Sequence, residues 1–227
     1  STLAPLFASA PLAVPAAWTA IVATGLSAVA VLALHWLSPE FAPSWRMVSE
    51  YALGQHGVVL TAMFLACALG SFALAVALWP LGGSWLGLVG LAFLLLAGVG
   101  QAMGGLFDVN HRLHGLAFGI GVPTFVIAAI LLTLAGRAAG LAIPLWSGFL
   151  PLVSVIAMAV AMTMMFSGLK AAGIAWTAES GPLSALPDGM TAWSGWANRL
   201  VFAAYYLWVL LAARAVLITK EKVAVLA

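Results

Sequence analysis

Charge is what this sequence has least of. Only 6% of its 227 residues are Asp, Glu, Lys or Arg, against about a quarter in a soluble domain, so the usual hydrated shell of ionised side chains is excluded. No run of Lys or Arg occurs and the net charge is +2, which removes the basic stripe that nucleic-acid binders use to follow phosphates. Cysteine is reduced to Cys67 alone. An internal disulfide is therefore impossible, and within its apolar run the thiol reads as a small core residue. The zinc-protease spacing H-E-x-x-H is also absent. No basic stretch opens the segment before residue 17, which argues against a signal peptide there and suits a short interfacial lead-in.

Hydrophobic residues are what remains, at 65% of the chain. A bilayer-spanning helix needs roughly 20 mostly apolar residues, and six runs meet that length, near 17–37, 58–79, 85–106, 113–134, 145–167 and 197–217. Proline and glycine clusters such as "SPEFAPS", "PLGG", "GRAAGLAIP" and "ESGPLSALPDG" separate them. The expectation is an all-α, polytopic membrane protein: a six-transmembrane-helix bundle making one integral membrane domain over 1–227. Trp36, Trp45, Trp79, Trp85, Trp146, Trp193 and Trp196 fall near span ends, as an interfacial aromatic belt requires.

Six spans put both termini on one face. Arg137, Arg214, Lys220 and Lys222 lie on that face and Arg46, Arg112, Lys170 and Arg199 on the other, a balance that leaves the positive-inside rule undecided. The acids are uneven: Glu40, Glu50, Asp108, Glu179 and Asp188 sit on the loop face and only Glu221 on the terminal face. With the "TKEK" tail, this favours cytoplasmic termini in a plasma (inner) membrane. His35, His56, His111 and His114 also collect at the loop face, and polar groups near a membrane turn inward to a bundle or a wet cavity. A polar vestibule at that face follows. The loop 168–196, with Trp176, Trp193 and Trp196, is expected to lie over it, with Glu179 and Asp188 in reach.

"SEYALG" at 49–54 and "GGLFDVNHRLHG" at 104–115 carry a resemblance. Ser49, Glu50, Leu53 and Gly54, then Phe107, Asp108, His114 and Gly115, make the chain similar to the six-span bacterial and archaeal membrane family numbered 998 among the domains of unknown function. No proline stands between Phe107 and Asp108 here, a departure from the family pattern. The resemblance implies a fold and no activity.

The residues themselves support two readings of the second motif. Asp108 or Asn110 can cap the fourth span, with Arg112 toward phosphates and the histidines at the interface. Alternatively, His111 and His114, spaced i, i+3 on one helical face, bind Zn²⁺ with Asp108, and Glu50 and His56 complete the shell. Either way, Asp108 and one of the two histidines are expected to be buried against 49–54. Gln101, seven residues before Asp108, would point inward beneath the site. Gly100 with Gly104, and Gly115 with Gly119, have the small-residue spacing of close helix contacts, and the methionines of 158–165 read as adaptable core.

Three functions fit these features. Binding of a lipid or other amphiphile, or support of a membrane partner or a homo-oligomer, needs only packing and the vestibule. A metal-dependent intramembrane hydrolase needs the His and acid cluster to converge; its residue types are similar to those of the alkaline ceramidase and adiponectin-receptor group, although six spans and the lack of a late His pair depart from it. A transporter or channel subunit is disfavoured because no ionisable residue lies near the middle of a span.

Overall fold

The computed structural model describes residues 7, 10–175 and 183–226, the side chains of 220 and 222–226 excepted. Among them there is no strand. Apolar side chains all round each run leave the backbone no water to bond, so the helix, which satisfies its own N–H and C=O groups, is the form available. Six helices result: α1 Ala13–Leu37, α2 Gly57–Ala77, α3 Trp85–Leu106, α4 His114–Ala138, α5 Leu145–Ala171 and α6 Ser194–Leu226. All six are long and apolar enough to cross a membrane.

Local chemistry sets their limits. Ser84 opens α3, its hydroxyl accepting from Gly87 N at 3.1 Å. Gly173, at φ 77, ends α5 in the left-handed conformation that glycine adopts without strain. Four helices outrun their apolar stretches: α1 begins at Ala13, α4 continues to Ala138, α5 to Ala171 and α6 through the helix-forming tail; Arg137 donates to Ile143 O and so ties the end of α4 to the connection before α5. Pro123 and Pro151 lie inside α4 and α5.

Successive helices pack antiparallel, and α6 closes the ring against α1 while also touching α2 and α4. It is therefore drawn inward, whereas α5 is the most peripheral span. Short 3-10 turns at Val48–Leu53 and Trp79–Gly83 tie α1 to α2 and α2 to α3.

The glycine contacts differ from the sequence expectation. The backbones of α3 and α4 approach closely at Gly100 and Gly121, where a Cβ on Gly100 would stand 2.5 Å from the Gly121 Cα. Gly104 faces the Phe64 ring, and Gly115 and Gly119 face open space. The reason is helical phase: α4 turns 117 and 121 toward α3, so 115 and 119 point away. Of the methionine run, Met158 is buried but Met164 is exposed, as a peripheral helix dictates. Trp36, Trp79, Trp85, Trp146, Trp193 and Trp196 are exposed at helix ends, where a belt belongs. Trp176 lies outside the described residues.

Gly100→Ala is expected to destabilise the bundle by about 1–3 kcal/mol through overpacking, while Gly119→Ala is neutral or stabilising by up to about 1 kcal/mol from helix propensity. Thermal unfolding in detergent separates the two; equal melting of both variants would place the α3–α4 contact elsewhere.

Candidate functional site

The loop face is organised by Arg199, six residues into α6. Its Nε donates to His35 Nε2 at 2.8 Å, one Nη to Arg46 O at 2.8 Å and Gly195 O at 3.0 Å, and the other Nη to Tyr51 Oη at 2.9 Å. A guanidinium only donates, so His35 Nε2 accepts and the ring proton sits on Nδ1, which donates to Val31 O at 2.7 Å. One cation thus ties α1, the 38–56 loop and the start of α6 together, its hydrogen bonds going to oxygens and a ring nitrogen rather than to a carboxylate.

The carboxylate belongs to a second arginine. Arg46 Nε lies 2.8 Å from Glu50 Oε2, although its N–H is not aimed well enough to count as a hydrogen bond; the contact is chiefly electrostatic. Arg46 also donates to Leu183 O and stacks over Phe41 and Trp45. Glu50 accepts from Met47 N at 2.9 Å, which caps the 3-10 turn. Burial raises the Glu50 carboxyl above its ordinary value, against the opposing pull of Arg46 and of the Met47 N–H. At Gly54 an added Cβ would meet the Phe41 ring at 2.8 Å, which accounts for that glycine. Nothing in the packing explains Gly115.

The 107–115 stretch bonds chiefly within itself. Asp108 is exposed and accepts from Asn110 N at 2.8 Å, a local turn. The N-cap position of α4 is Leu113, without a side-chain cap, because the turn closes five residues too early for Asp108 to reach the helix. His111 is exposed, stacks on Phe107 and accepts from Leu113 N. His114 Nδ1 donates to Phe107 O at 2.9 Å. Neither Asp108 nor either histidine bonds to residues 49–54, contrary to expectation: their hydrogen bonds are taken up within 107–114. His56 precedes α2 and meets Ser38 Oγ at 3.4 Å. Among the described residues no three His, Cys, Asp or Glu side chains lie close enough to share a metal ion. Glu179 falls outside the described residues.

A cavity of about 90 Å³ opens beneath this layer, between α2, α3, α4, α5 and α6. One face of α4 lines it with His114, Ala117, Phe118, Gly121, Val122 and Phe125, opposed by Phe64, Met158 and Phe202. Phe118 lines it while 49% exposed, so the cavity is open along α4. Polar groups mark its two ends. Ser49, His114 and Asn198 stand toward the loop face, and Gln101 and Tyr205 farther in.

Gln101 belongs to a buried polar layer. Ser71 Oγ lies 2.5 Å from Gln101 Oε1 and 2.7 Å from Tyr205 Oη; Ser27 Oγ donates to Met63 O at 2.8 Å and so accepts from Tyr206 Oη at 2.7 Å. The ten steps from Ser27 to the end of α1 and the eleven from the start of α6 to Tyr205 each rise about 15 Å, half of a bilayer core of about 30 Å. Sequence reasoning reached Ser49, Glu50, His56, Gln101, Asp108, His111 and His114, of which Ser49, Gln101 and His114 line the cavity. It missed Arg46, Tyr51, Asn198, Arg199 and Tyr205. The signal for two of them was present in "GWANRL", where an amide and a guanidinium interrupt the start of an apolar span.

A match to the family described as protein of unknown function (DUF998) covers residues 21–215, taking in most of α1 and all of α2 to α5. The chain belongs to that family and is a membrane protein. No curated protein and no solved structure matches it.

Replacing the guanidinium tests the hub. Arg199→Lys keeps the charge but not the fork, and the loss of two or three charge-assisted bonds is expected to cost about 2–4 kcal/mol; wild-type stability of the lysine variant in detergent would refute the assignment. For Glu50 the direction with pH follows from its raised value. The folded protein binds the proton more tightly than the unfolded chain, so this carboxyl's contribution is fully present below its ordinary 4.5 and is lost as pH rises through the raised value. The melting temperature of the wild type relative to Glu50→Gln should therefore fall with rising pH, and a constant or rising difference would contradict it.

Proposed function

We propose that the protein binds a single-chain amphiphile in the cavity between α2 and α6, with the hydrocarbon against α4 and the polar group among the side chains at the cavity's ends. The cavity carries this reading. Its walls are phenylalanine, methionine, valine and glycine, with a few polar groups at fixed places, the composition of a small-molecule site. Its volume of about 90 Å³ suits one short hydrocarbon segment rather than a two-chain lipid. The exposure of Phe118 along α4 gives such a chain a way in from the bilayer.

Supporting a membrane partner needs only the outer faces, which any lipid-facing helix presents. The amphiphile reading is preferred because it uses the interior.

Native mass spectrometry of the purified protein tests it. The wild type is expected to retain a bound amphiphile that Val122→Trp, which fills the cavity, reduces about tenfold or more, equivalent to at least about 1.4 kcal/mol of binding. Equal amounts of the same lipids on both proteins would overturn the reading.

A further inference from the structure

The floor of the cavity is more selective than its walls. Ser71 has one hydroxyl proton and three oxygens within reach: Gln101 Oε1 at 2.5 Å, Tyr205 Oη at 2.7 Å and Cys67 O at 3.1 Å. Cys67 O is placed to accept the helical N–H of residue 71, so the proton is best given to Gln101 Oε1, the nearest acceptor, and Tyr205 donates its own proton to Ser71. With the amide oxygen on Ser71 Oγ, its NH₂ faces away. Gln101 is only 8% exposed and lines the cavity. Where the Tyr205 hydroxyl takes one of the two N–H groups, the other meets no hydrogen-bond acceptor among the described residues.

An N–H that faces an apolar cavity without an acceptor is destabilising, and a hydrocarbon tail cannot relieve it. Charge selects further. None of the residues lining the cavity is Lys, Arg, Asp or Glu, so a carboxylate carried to this depth would have no counter-ion. We infer that the cavity is a binding site for an uncharged lipid bearing a carbonyl oxygen, which accepts from Gln101 Nε2 at the floor while the hydrocarbon lies along α4. This rests on the amphiphile reading and adds the chemistry of the recognised group.

The test uses the full chain in nanodiscs and three probes of equal chain length: methyl decanoate labelled with ¹³C at the carbonyl, decane, and decanoate. Signal abolished by Val122→Trp counts as cavity-bound. In the wild type the ester should bind about 5–10-fold more tightly than decane, the equivalent of one hydrogen bond, decanoate should bind most weakly, and the bound ester's carbonyl stretch should lie below its value in empty nanodiscs. Gln101→Met should abolish both the preference and the shift and leave decane binding unchanged. Ser71→Ala, which spares the amide NH₂, should retain them in part. The wild-type ranking stands without any variant, so a Gln101 variant that fails to fold does not remove the test. Ester and decane binding alike, or an unshifted carbonyl, overturns the inference while leaving the amphiphile reading intact. If Val122→Trp displaces none of the probes, the amphiphile reading fails, and the inference with it.

Discussion

A polar group among apolar helices has no water to turn to, so it must find its partner within the protein. Most of the interior is arranged by that requirement. Ser27 and Tyr206, 179 positions apart, bond at 2.7 Å; Ser71 joins Gln101 and Tyr205 from three different helices; Trp208 donates to Thr133 at 3.0 Å. Each pair fixes a rotation and a height between two helices. Apolar packing alone does not, since lipid tails and leucine side chains are nearly equivalent surroundings and offer little drive for helices to choose one another. The hydroxyls are thus the register marks of the bundle.

The same rule explains why the loop face is built from arginine. Lysine offers a point charge, whereas the guanidinium spreads five donors in a plane, and Arg199 uses them on a ring nitrogen, two carbonyls and a phenol. The carbonyls come from Arg46 in the 38–56 loop and from Gly195 in α6 itself. Gly195 is small because the backbone of 43–46 passes against it, and Gly195 N in turn donates to Ser44 O at 2.9 Å. Loop and helix start therefore hold each other, with Asn198 Oδ1 accepting from Val48 N at 2.9 Å. Arg46, occupied with Glu50 and Leu183 O, carries the tie on toward the connection that precedes α6.

This division between what a chain shows locally and what it shows only when folded separates the legible from the illegible. The six helices could be read because hydropathy over 20 residues is a property of neighbours in sequence, and α3 begins and ends where its apolar run does. The family could be read because its two short motifs are contiguous. His35 could be placed at the loop face but not joined to Arg199, 164 positions away, since nothing in one sequence reports which rotation two helices adopt. The opposite failure occurred at 107–114. So many polar residues in one stretch invited a search for distant partners, yet Asp108, His111 and His114 all bond within seven residues of themselves. Dense polarity marked a self-contained turn, whereas isolated polarity at Gln101 and Tyr205 marked the interior network.

The closeness of α3 and α4 and the openness of the cavity beside them have one cause. Gly100 and Gly121 lack side chains, so the backbones meet, and the same missing side chains leave volume on the side where both residues line the cavity. A space of 90 Å³ left unfilled forfeits the packing contacts of the side chains that line it. A membrane offers a ready remedy, because any acyl chain that passes Phe118 can occupy it. Filling by hydrocarbon would make the space indifferent to its occupant, and Gln101 is what prevents that indifference: an alkyl segment restores the packing but leaves the amide N–H unmatched. Packing therefore sets how much the cavity holds, and the amide sets what it prefers.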